Sequence, residues 1–286
     1  MRAVHEPRTI AEAVEFSRER LRSVSPTPWL DARLLAQHVT GLDASALIAY
    51  GDTRLEAGPR RRLFDLVERR RGGEPVAYIV GKKPFCGLVL SVDRRVLVPR
   101  PETEELVMAC VADWTGKAAT IADVGTGSGA IACALAHLLP DAALLATDIS
   151  RDALDVARSN ARSLGLVEQI EFLESDLFET VPDGRRFDVL IANLPYVGND
   201  LAVRLPRSVA DHEPPSALLG GPDGLAVYRS FFGQAAGRLT DRGAVYCECS
   251  PEQAAGLARL ANTALPQAAV EVRKDLAGLD RMVICR

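Results

Sequence analysis

Five short apolar runs, with stretches of helical spacing between them, constrain this chain more than any other feature: Thr120–Val124, Ala143–Thr147, Ile170–Leu173, Phe187–Ala192 and Ala244–Cys249. The fourth reads Phe-Asp-Val-Leu-Ile-Ala, apolar along nearly its whole length. Strands of that kind belong inside a parallel sheet that is covered on both faces. The intervening segments supply the covering helices, and right-handed crossovers then give an α/β, doubly wound, Rossmann-like sheet. Two last runs, Ala269–Arg273 and Arg281–Cys285, are separated by Gly278 and predict an antiparallel hairpin at the sheet edge. Sheets of this class bind ligands beyond the carboxyl ends of their strands, so the residues just after the runs are the place to look for a site.

The first 75 residues follow another period. Ile10, Ala13, Val14 and Leu21, then Trp29, Ala32, Leu35, Ala36 and Val39, then Leu63, Leu66 and Val67 fall at helical spacing. This predicts a small helical bundle, each helix hiding one apolar stripe. Six arginines, Arg60 to Arg62 and Arg69 to Arg71, cluster around its last helix and read as a solvated face or as a patch for an acidic or RNA-bearing partner. Val76 to Val80, Leu88 to Val92 and Val96 to Val98 read as a bridging strand pair. The expected organisation is therefore residues 1–75 as a helical bundle, 76–99 as a bridging β-hairpin and 100–286 as the catalytic domain.

Charge narrows the function classes. A net charge of -4 with 25% charged residues leaves no polycation for generic nucleic-acid binding. No apolar stretch reaches the roughly 20 residues of a membrane span. The six cysteines form no CxxC pair and the chain opens on Met1-Arg2-Ala3-Val4-His5-Glu6, so reduced thiols, a cytoplasmic location and no metal site are expected.

Asp123-Val124-Gly125-Thr126-Gly127-Ser128-Gly129-Ala130 reads as a strand end, a tight turn and a helix start. It satisfies both a dinucleotide turn and the G-x-G-x-G turn of proteins that bind a nucleoside joined to methionine. A carboxylate at Asp123, facing the mouth of the turn, opposes a pyrophosphate and favours a cation such as S-adenosylmethionine. Asp148, ending the next strand, is placed for ribose hydroxyls under either cofactor. Asp176 is placed to accept from an adenine amino group while Leu177 packs on the ring; a helix N-cap is the other role open to Asp176. Asn193-Leu194-Pro195-Tyr196, directly after the fourth run, brings a carboxamide, a backbone carbonyl and an aromatic face to a strand end, which suits a planar NH2 group, although a Pro turn closing the strand reads equally well.

These residues, with Val96-Leu97-Val98-Pro99-Arg100-Pro101-Glu102-Thr103-Glu104 and Glu213-Pro214-Pro215-Ser216-Ala217-Leu218-Leu219-Gly220-Gly221-Pro222-Asp223-Gly224-Leu225, resemble the HemK/PrmC family of class I methyltransferases. Asp31-Ala32-Arg33-Leu34-Leu35 and the tail Asp275-Leu276-Ala277-Gly278-Leu279-Asp280-Arg281 are similar to that family's two ends, so the resemblance covers nearly the whole chain. Position 194 departs from it, being leucine where the family has Asn-Pro-Pro-Tyr; Leu177 stands where an aromatic is common, and Glu248-Cys249-Ser250 where Glu-Ile-Gly is usual.

The resemblance implies a class I S-adenosylmethionine-dependent methyltransferase that modifies the side-chain amide (N5) of the glutamine in the Gly-Gly-Gln loop of class-1 peptide chain release factors. It implies cofactor contacts from Asp123, Gly125, Thr126, Gly127, Ser128, Gly129, Asp148, Asp176, Leu177 and Asn193. Asn193, Leu194, Pro195 and Tyr196 become the catalytic and substrate-holding element, with Phe85 closing the substrate pocket and Arg100 on its wall. Phe85 as an ordinary core aromatic, and Thr103 as the cap of a helix after an extended Pro linker, remain open. The expected partner is a release factor and the expected state a monomer, with neither membrane nor nucleic acid expected as partner. His5, His38, His137 and His212 are expected outside the chemistry. The rival readings are a glutamine methyltransferase of a ribosomal protein, an adenine N6-methyltransferase, a nicotinamide oxidoreductase and a binding module without catalysis.

Overall fold

A computed structural model describes residues 7–286, so His5 lies outside the described residues. The chain divides into two compact units, one formed by residues up to Gly81 together with Pro206–His212, the other by Lys82–Leu205 and Glu213–Arg286.

The first unit contains α1 (Ile10–Leu21), α2 (Pro28–Thr40), α3 (Ala44–Ala49), α4 (Ala57–Arg71) and α5 (Val76–Val80). Helix α1 starts at a capping box in which Thr9 and Glu12 satisfy each other's backbone N–H groups. The expected stripes meet in one core: Ile10, Ala13 and Leu21 pack with Ala32, Leu35, Leu63 and Val67. Trp29 does not join them; it is 50% exposed, with the Arg33 guanidinium stacked 4.2 Å from its ring centre. The segment Val76–Val80 is helical, where a strand was expected. Pro75 opens it and Gly81, at φ 74, closes it by donating its N–H to Ala77, and so short an apolar run does not by its period distinguish helix from strand. Much of the arginine cluster is spent internally. Arg70 is buried against Asp31 at 2.7 Å, Arg69 pairs with Glu74 and Arg71 with Glu68.

In the second unit β1 (Lys82–Phe85) and β2 (Leu88–Ser91) form a hairpin, followed by α6 (Pro101–Trp114), β3 (Thr120–Val124), α7 (Ala130–Leu138), β4 (Ala143–Asp148), α8 (Arg151–Ser163), β5 (Ile170–Glu174), β6 (Phe187–Ala192) and the short α9 (Asn199–Ala202). The short α10 (Arg207–Ala210) falls in the first unit, and the second resumes with α11 (Ala226–Ala235), β7 (Leu239–Glu248), α12 (Ala254–Ala264), β8 (Val270–Lys274) and β9 (Asp280–Cys285). The sheet order is β5-β4-β3-β6-β7-β9-β8. Its first five strands run parallel, whereas β9 is antiparallel to both β7 and β8, as the expected edge hairpin requires. Val96–Val98 lies outside the strands. Pro99 follows it without an N–H to donate, and the Val98 N–H is taken by Glu213 Oε2 at 3.3 Å.

Period-2 alternation sorts the sheet into two cores. Ile121, Val189 and Ile191 face α6 and α7, while Ala122, Val124, Leu190 and Ala192 face Tyr228 and Phe231 of α11 and Leu257 of α12. Each fully buried Leu, Ile or Phe stabilises the fold by roughly 1.5–3 kcal/mol, and every residue of β6 is buried. Strand order reverses between β3 and β6, which opens a crevice at their carboxyl ends.

Candidate functional site

Register places the expected residues along one edge. Val124 lies opposite both Thr147 and Ala192, so the turn after β3, Asp148 at the end of β4 and the tetrapeptide after β6 emerge together. They line a cavity of about 330 Å³, a size suited to a nucleoside-sized ligand. Gly125, Thr126, Gly127 and Ser128 contribute one wall; Asp148, Asp176 and Leu177 a second; Asn193, Leu194, Pro195, Arg100 and Thr103 a third.

The glycine turn is tied to the end of β4. Gly125 and Thr126 both donate their N–H groups to the Thr147 carbonyl, and Gly127 donates to Asp148 Oδ2 at 2.8 Å. With those three donors committed, the turn is not a cradle for a pyrophosphate; what it shows the cavity is the Asp148 carboxylate. Gly127, at φ 54, has nothing within 4 Å of where a Cβ would stand, so its open side admits a ligand closely. Gly129 serves packing instead, since a Cβ there would meet the Ala157 Cβ of α8 at 3.0 Å. Asp148 also accepts from the Ser150 N–H at 2.9 Å, and burial pushes its carboxyl up against those two bonds. An acceptor-rich wall with a half-buried carboxylate fits the hydroxyls of a ribose and a cationic head, which is the chemistry of S-adenosylmethionine.

Asp123 departs from expectation. It shares the parity of Ile121 and points toward α7, beneath the turn rather than at its mouth. Its Oδ2 accepts from the Thr126 hydroxyl at 2.6 Å and the Ala132 N–H at 3.0 Å, while Oδ1 is buried without a partner. Burial raises this carboxyl to about 7. Asp123 therefore holds the turn onto α7 and does not line the cavity. Asp176 is exposed at the cavity rim and caps no helix; the Ser175 hydroxyl accepts the Thr180 N–H of the turn that follows. Leu177 is buried at φ 53, a left-handed conformation that turns its side chain into the crevice wall.

The tetrapeptide continues the alternation of β6. Asn193 takes the α6 side, where its Nδ2 donates to Thr103 Oγ1 at 3.0 Å. Leu194 takes the α11 side. Its N–H donates to the buried Tyr228 hydroxyl at 3.3 Å, and its Cδ2 covers Gly125, 2.8 Å from where a Cβ would be. Among the described residues no donor reaches Asn193 Oδ1 or the Leu194 carbonyl. Tyr196 was expected against the substrate amide; instead its hydroxyl donates to Glu248 Oε1 at 3.2 Å and its ring packs with the α11 core, outside the cavity wall. Burial beside the Glu248 charge pushes the phenol further up, so it stays protonated.

Phe85 is 1% exposed and sits in the buried cluster with Leu88, Leu90 and Leu106, outside the cavity lining, because it pairs with Leu88 on the buried face of the β1–β2 hairpin. It is the ordinary core aromatic. Thr103 is the third residue of α6 and makes no cap; its hydroxyl donates to Glu248 Oε2 at 2.6 Å. Arg100 does line the wall and forms an ion pair with the buried Glu213 at 2.6 Å. The start of α6 is a junction between distant segments. Besides those bonds, Glu104 accepts the Cys86 N–H and Glu105 the Leu276 N–H.

Glu248 and the bonding role of Thr103 were missed from sequence. The available signal was a lone carboxylate at the end of an apolar strand, between Cys247 and Cys249. His38, His137 and His212 do not line the cavity, and among the described residues no group of three or more His, Cys, Asp or Glu is placed to hold a metal. Nor is any helix among them long and apolar enough to cross a membrane.

Comparison with known proteins agrees with the geometry. Residues 12–81 match the family model described as PrmC N-terminal domain, and residues 103–205 the one described as Methyltransferase small domain. The chain is 37% identical over 283 residues to a release factor glutamine methyltransferase of Rhodopirellula baltica, covering 97% of this chain and 96% of that protein. A Burkholderia pseudomallei protein of the same description is 40% identical over 268 residues, covering 92% and 93%. Among solved structures, the hMettl16 catalytic domain in complex with MAT2A 3'UTR hairpin 1 superposes with a TM-score of 0.58 at 15% identity, covering 89% of this chain and 90% of that one. The Thermus thermophilus 16S rRNA N2 G1207 methyltransferase in complex with AdoMet and guanosine gives 0.53 at 15% identity, covering 72% and 49%. At such identities these two likenesses establish the fold.

Proposed function

The chain belongs to the release factor glutamine methyltransferase family, and on that premise we propose that Asn193 and Leu194 hold the substrate glutamine while its amide nitrogen (N5) is methylated. The substrate is the glutamine of the Gly-Gly-Gln loop of a class-1 release factor, and the methyl donor is S-adenosylmethionine. The observation that carries the assignment of residues is the pair of open acceptors, Asn193 Oδ1 and the Leu194 carbonyl, on the wall of the cavity that Asp148 and Asp176 share.

An amide nitrogen is a weak nucleophile because its lone pair is delocalised into the carbonyl, so positioning is the main task. Two acceptors fix the two N–H bonds and leave the nitrogen only one direction to face. They also stabilise the positive character the nitrogen gains as the N–CH3 bond forms and the S–CH3 bond breaks; the surplus N–H proton then leaves to water, so no side chain with a basic pKa is needed. S-adenosylmethionine, when bound, supplies an electrophilic methyl group on its sulfonium. Asp148 would hold its ribose, Asp176 and Leu177 its adenine, and Asp123 the turn that fits around it. Arg100 and Glu213 keep the facing wall in place. Tyr196 acts through Glu248 rather than by stacking on the substrate.

The test is transfer of labelled methyl to a purified release factor, with the site read by mass spectrometry; no label on the Gly-Gly-Gln glutamine overturns the reading. Asn193→Ala should abolish turnover with cofactor still bound, and loss of cofactor affinity in calorimetry would reassign the residue. We assign recognition of the release factor's body to the helical unit, whose α2 leaves Trp29, Leu30 and Leu34 exposed. Charged substitutions at Leu30 and Leu34 should raise KM for the release factor alone. The same proposal makes the enzyme a cytoplasmic monomer without nucleic-acid affinity; a dimer in sedimentation equilibrium, or a salt-sensitive gel shift with RNA, would correct it.

A further inference from the structure

We propose that Thr103 and Glu248 are positioning residues that set which end of the Asn193 carboxamide faces the substrate, so that the site offers acceptors only and selects an amide over a carboxylate. The inference deepens the function proposed above and rests on it.

The argument is a count of protons. Glu248 ends β7 and is 1% exposed. Two hydroxyls reach its carboxylate, Thr103 at Oε2 (2.6 Å) and Tyr196 at Oε1 (3.2 Å). A carboxylate only accepts, so each hydroxyl spends its one proton there. The Thr103 oxygen then has only lone pairs left, and the Asn193 atom 3.0 Å away must be the NH2 group. Nδ2 is held on the α6 side, which leaves Oδ1 as the free end of a side chain that lines the cavity, as Leu194 does. Turning the amide over would set two oxygens against each other without a proton between them, a penalty that corresponds to roughly a ten- to hundredfold bias.

Glu248 thus grips the tetrapeptide at both ends, Asn193 through Thr103 and Tyr196 directly. The carboxylate is supported from β9 by Arg281, which also pairs with Asp275 at 3.1 Å and reaches the Cys249 carbonyl at 3.5 Å. Burial raises the Glu248 carboxyl, and the Thr103 and Tyr196 bonds and the Arg281 charge oppose that rise. The ionised state is the one that matters. A neutral group at 248 able to donate would free the Thr103 proton to bond Asn193 Oδ1, and the NH2 would swing into the cavity. A substrate carboxylate would then find a donor where the native site presents an oxygen.

Three variants test this. Thr103→Val keeps the shape and loses the relay; kcat should fall by about ten- to hundredfold, with the dissociation constant for S-adenosylmethionine unchanged. Thr103→Ser keeps the hydroxyl and should restore kcat. Glu248→Gln supplies a donor in nearly the same volume; kcat should fall likewise, and a release factor carrying Glu in place of the target Gln should inhibit this variant competitively at a lower concentration than it inhibits the native enzyme. Melting temperatures check that each variant folds. If the native enzyme methylates its release factor and Thr103→Val and Glu248→Gln stay within about threefold of its kcat, the relay is wrong and the function stands. The relay is also wrong if the variants lose cofactor affinity in proportion to kcat, or if Glu248→Gln gains no inhibition by the Glu form. If the native enzyme transfers no methyl, the function itself fails.

Discussion

Removing the Arg100 guanidinium should destabilise the catalytic unit in a way that depends on pH and that a second substitution relieves. Arg100 Nη2 lies 2.6 Å from Glu213 Oε1, and the Glu213 side chain is 1% exposed against 31% for Arg100. Breaking a fully buried pair by truncating one partner costs about 3–5 kcal/mol, most of it the penalty of the charge left behind. Arg100 is nearly one-third exposed, so water screens part of that attraction and about 1.5–2.5 kcal/mol is expected for Arg100→Ala. Burial already raises the Glu213 carboxyl, against the pull of Arg100 and the Val98 N–H. Without Arg100 it rises further. A carboxyl that ionises later in the folded than in the unfolded chain binds more protons when folded, so stability falls as pH rises above its unfolded value near 4.5. Arg100→Ala should therefore lose more at pH 8 than at pH 5 in urea unfolding. Arg100→Ala with Glu213→Gln, which leaves no charge to bury, should recover part of the loss and flatten the pH dependence. Equal losses at both pH values, or a double variant as unstable as the two single losses added, would refute the reasoning.

Gly125→Ala must adopt a left-handed φ of 76, costing about 1–2 kcal/mol, and its Cβ would push Leu194 Cδ2 from 2.8 Å; both cofactor affinity in calorimetry and kcat should fall, and an unchanged kcat would show that the turn and the Leu194 carbonyl are uncoupled. Asp188 is held down to about 2: burial opposes this, but Arg242, Thr120 and Thr240 outweigh it. A lowered folded value stabilises above the unfolded value of 3.8 and is lost as pH falls toward 2, so Asp188→Asn should cost about 2 kcal/mol at pH 7, with the difference from the native protein narrowing between pH 4 and pH 2 in thermal melts. Tyr228→Phe removes the buried hydroxyl between the Leu194 N–H and the Ala192 and Glu248 carbonyls and should cost about 1–3 kcal/mol; a loss under about 0.5 kcal/mol would mean those groups find other partners.

The sheet was legible because burial on both faces leaves little freedom of residue type. The runs Thr120–Val124 and Phe187–Ala192 coincide with β3 and β6, and the edge hairpin appears where Gly278 divides two apolar segments. The crevice followed from the order of runs, and Asn193, Leu194, Asp148 and the turn were expected in the place where they meet. Legibility stopped where direction was needed. A strand end says little about which face its last polar residue takes, and parity with Ile121 sends Asp123 under the turn. Phe85 had the composition of a pocket wall and the burial of a core residue.

What the amino-acid order alone determined is the layering of the second unit, its turn chemistry and the edge at which a ligand meets it, since hydrophobic period and glycine placement are local properties. What the tertiary structure decided is which polar atom faces which. Thr103, Asn193 and Glu248 stand far apart in the chain, and Thr103 and Glu248 are 145 positions from each other, yet one shared proton count orients the whole site. No local pattern encodes it, because hydrogen-bond direction is settled only when all donors and acceptors are brought together.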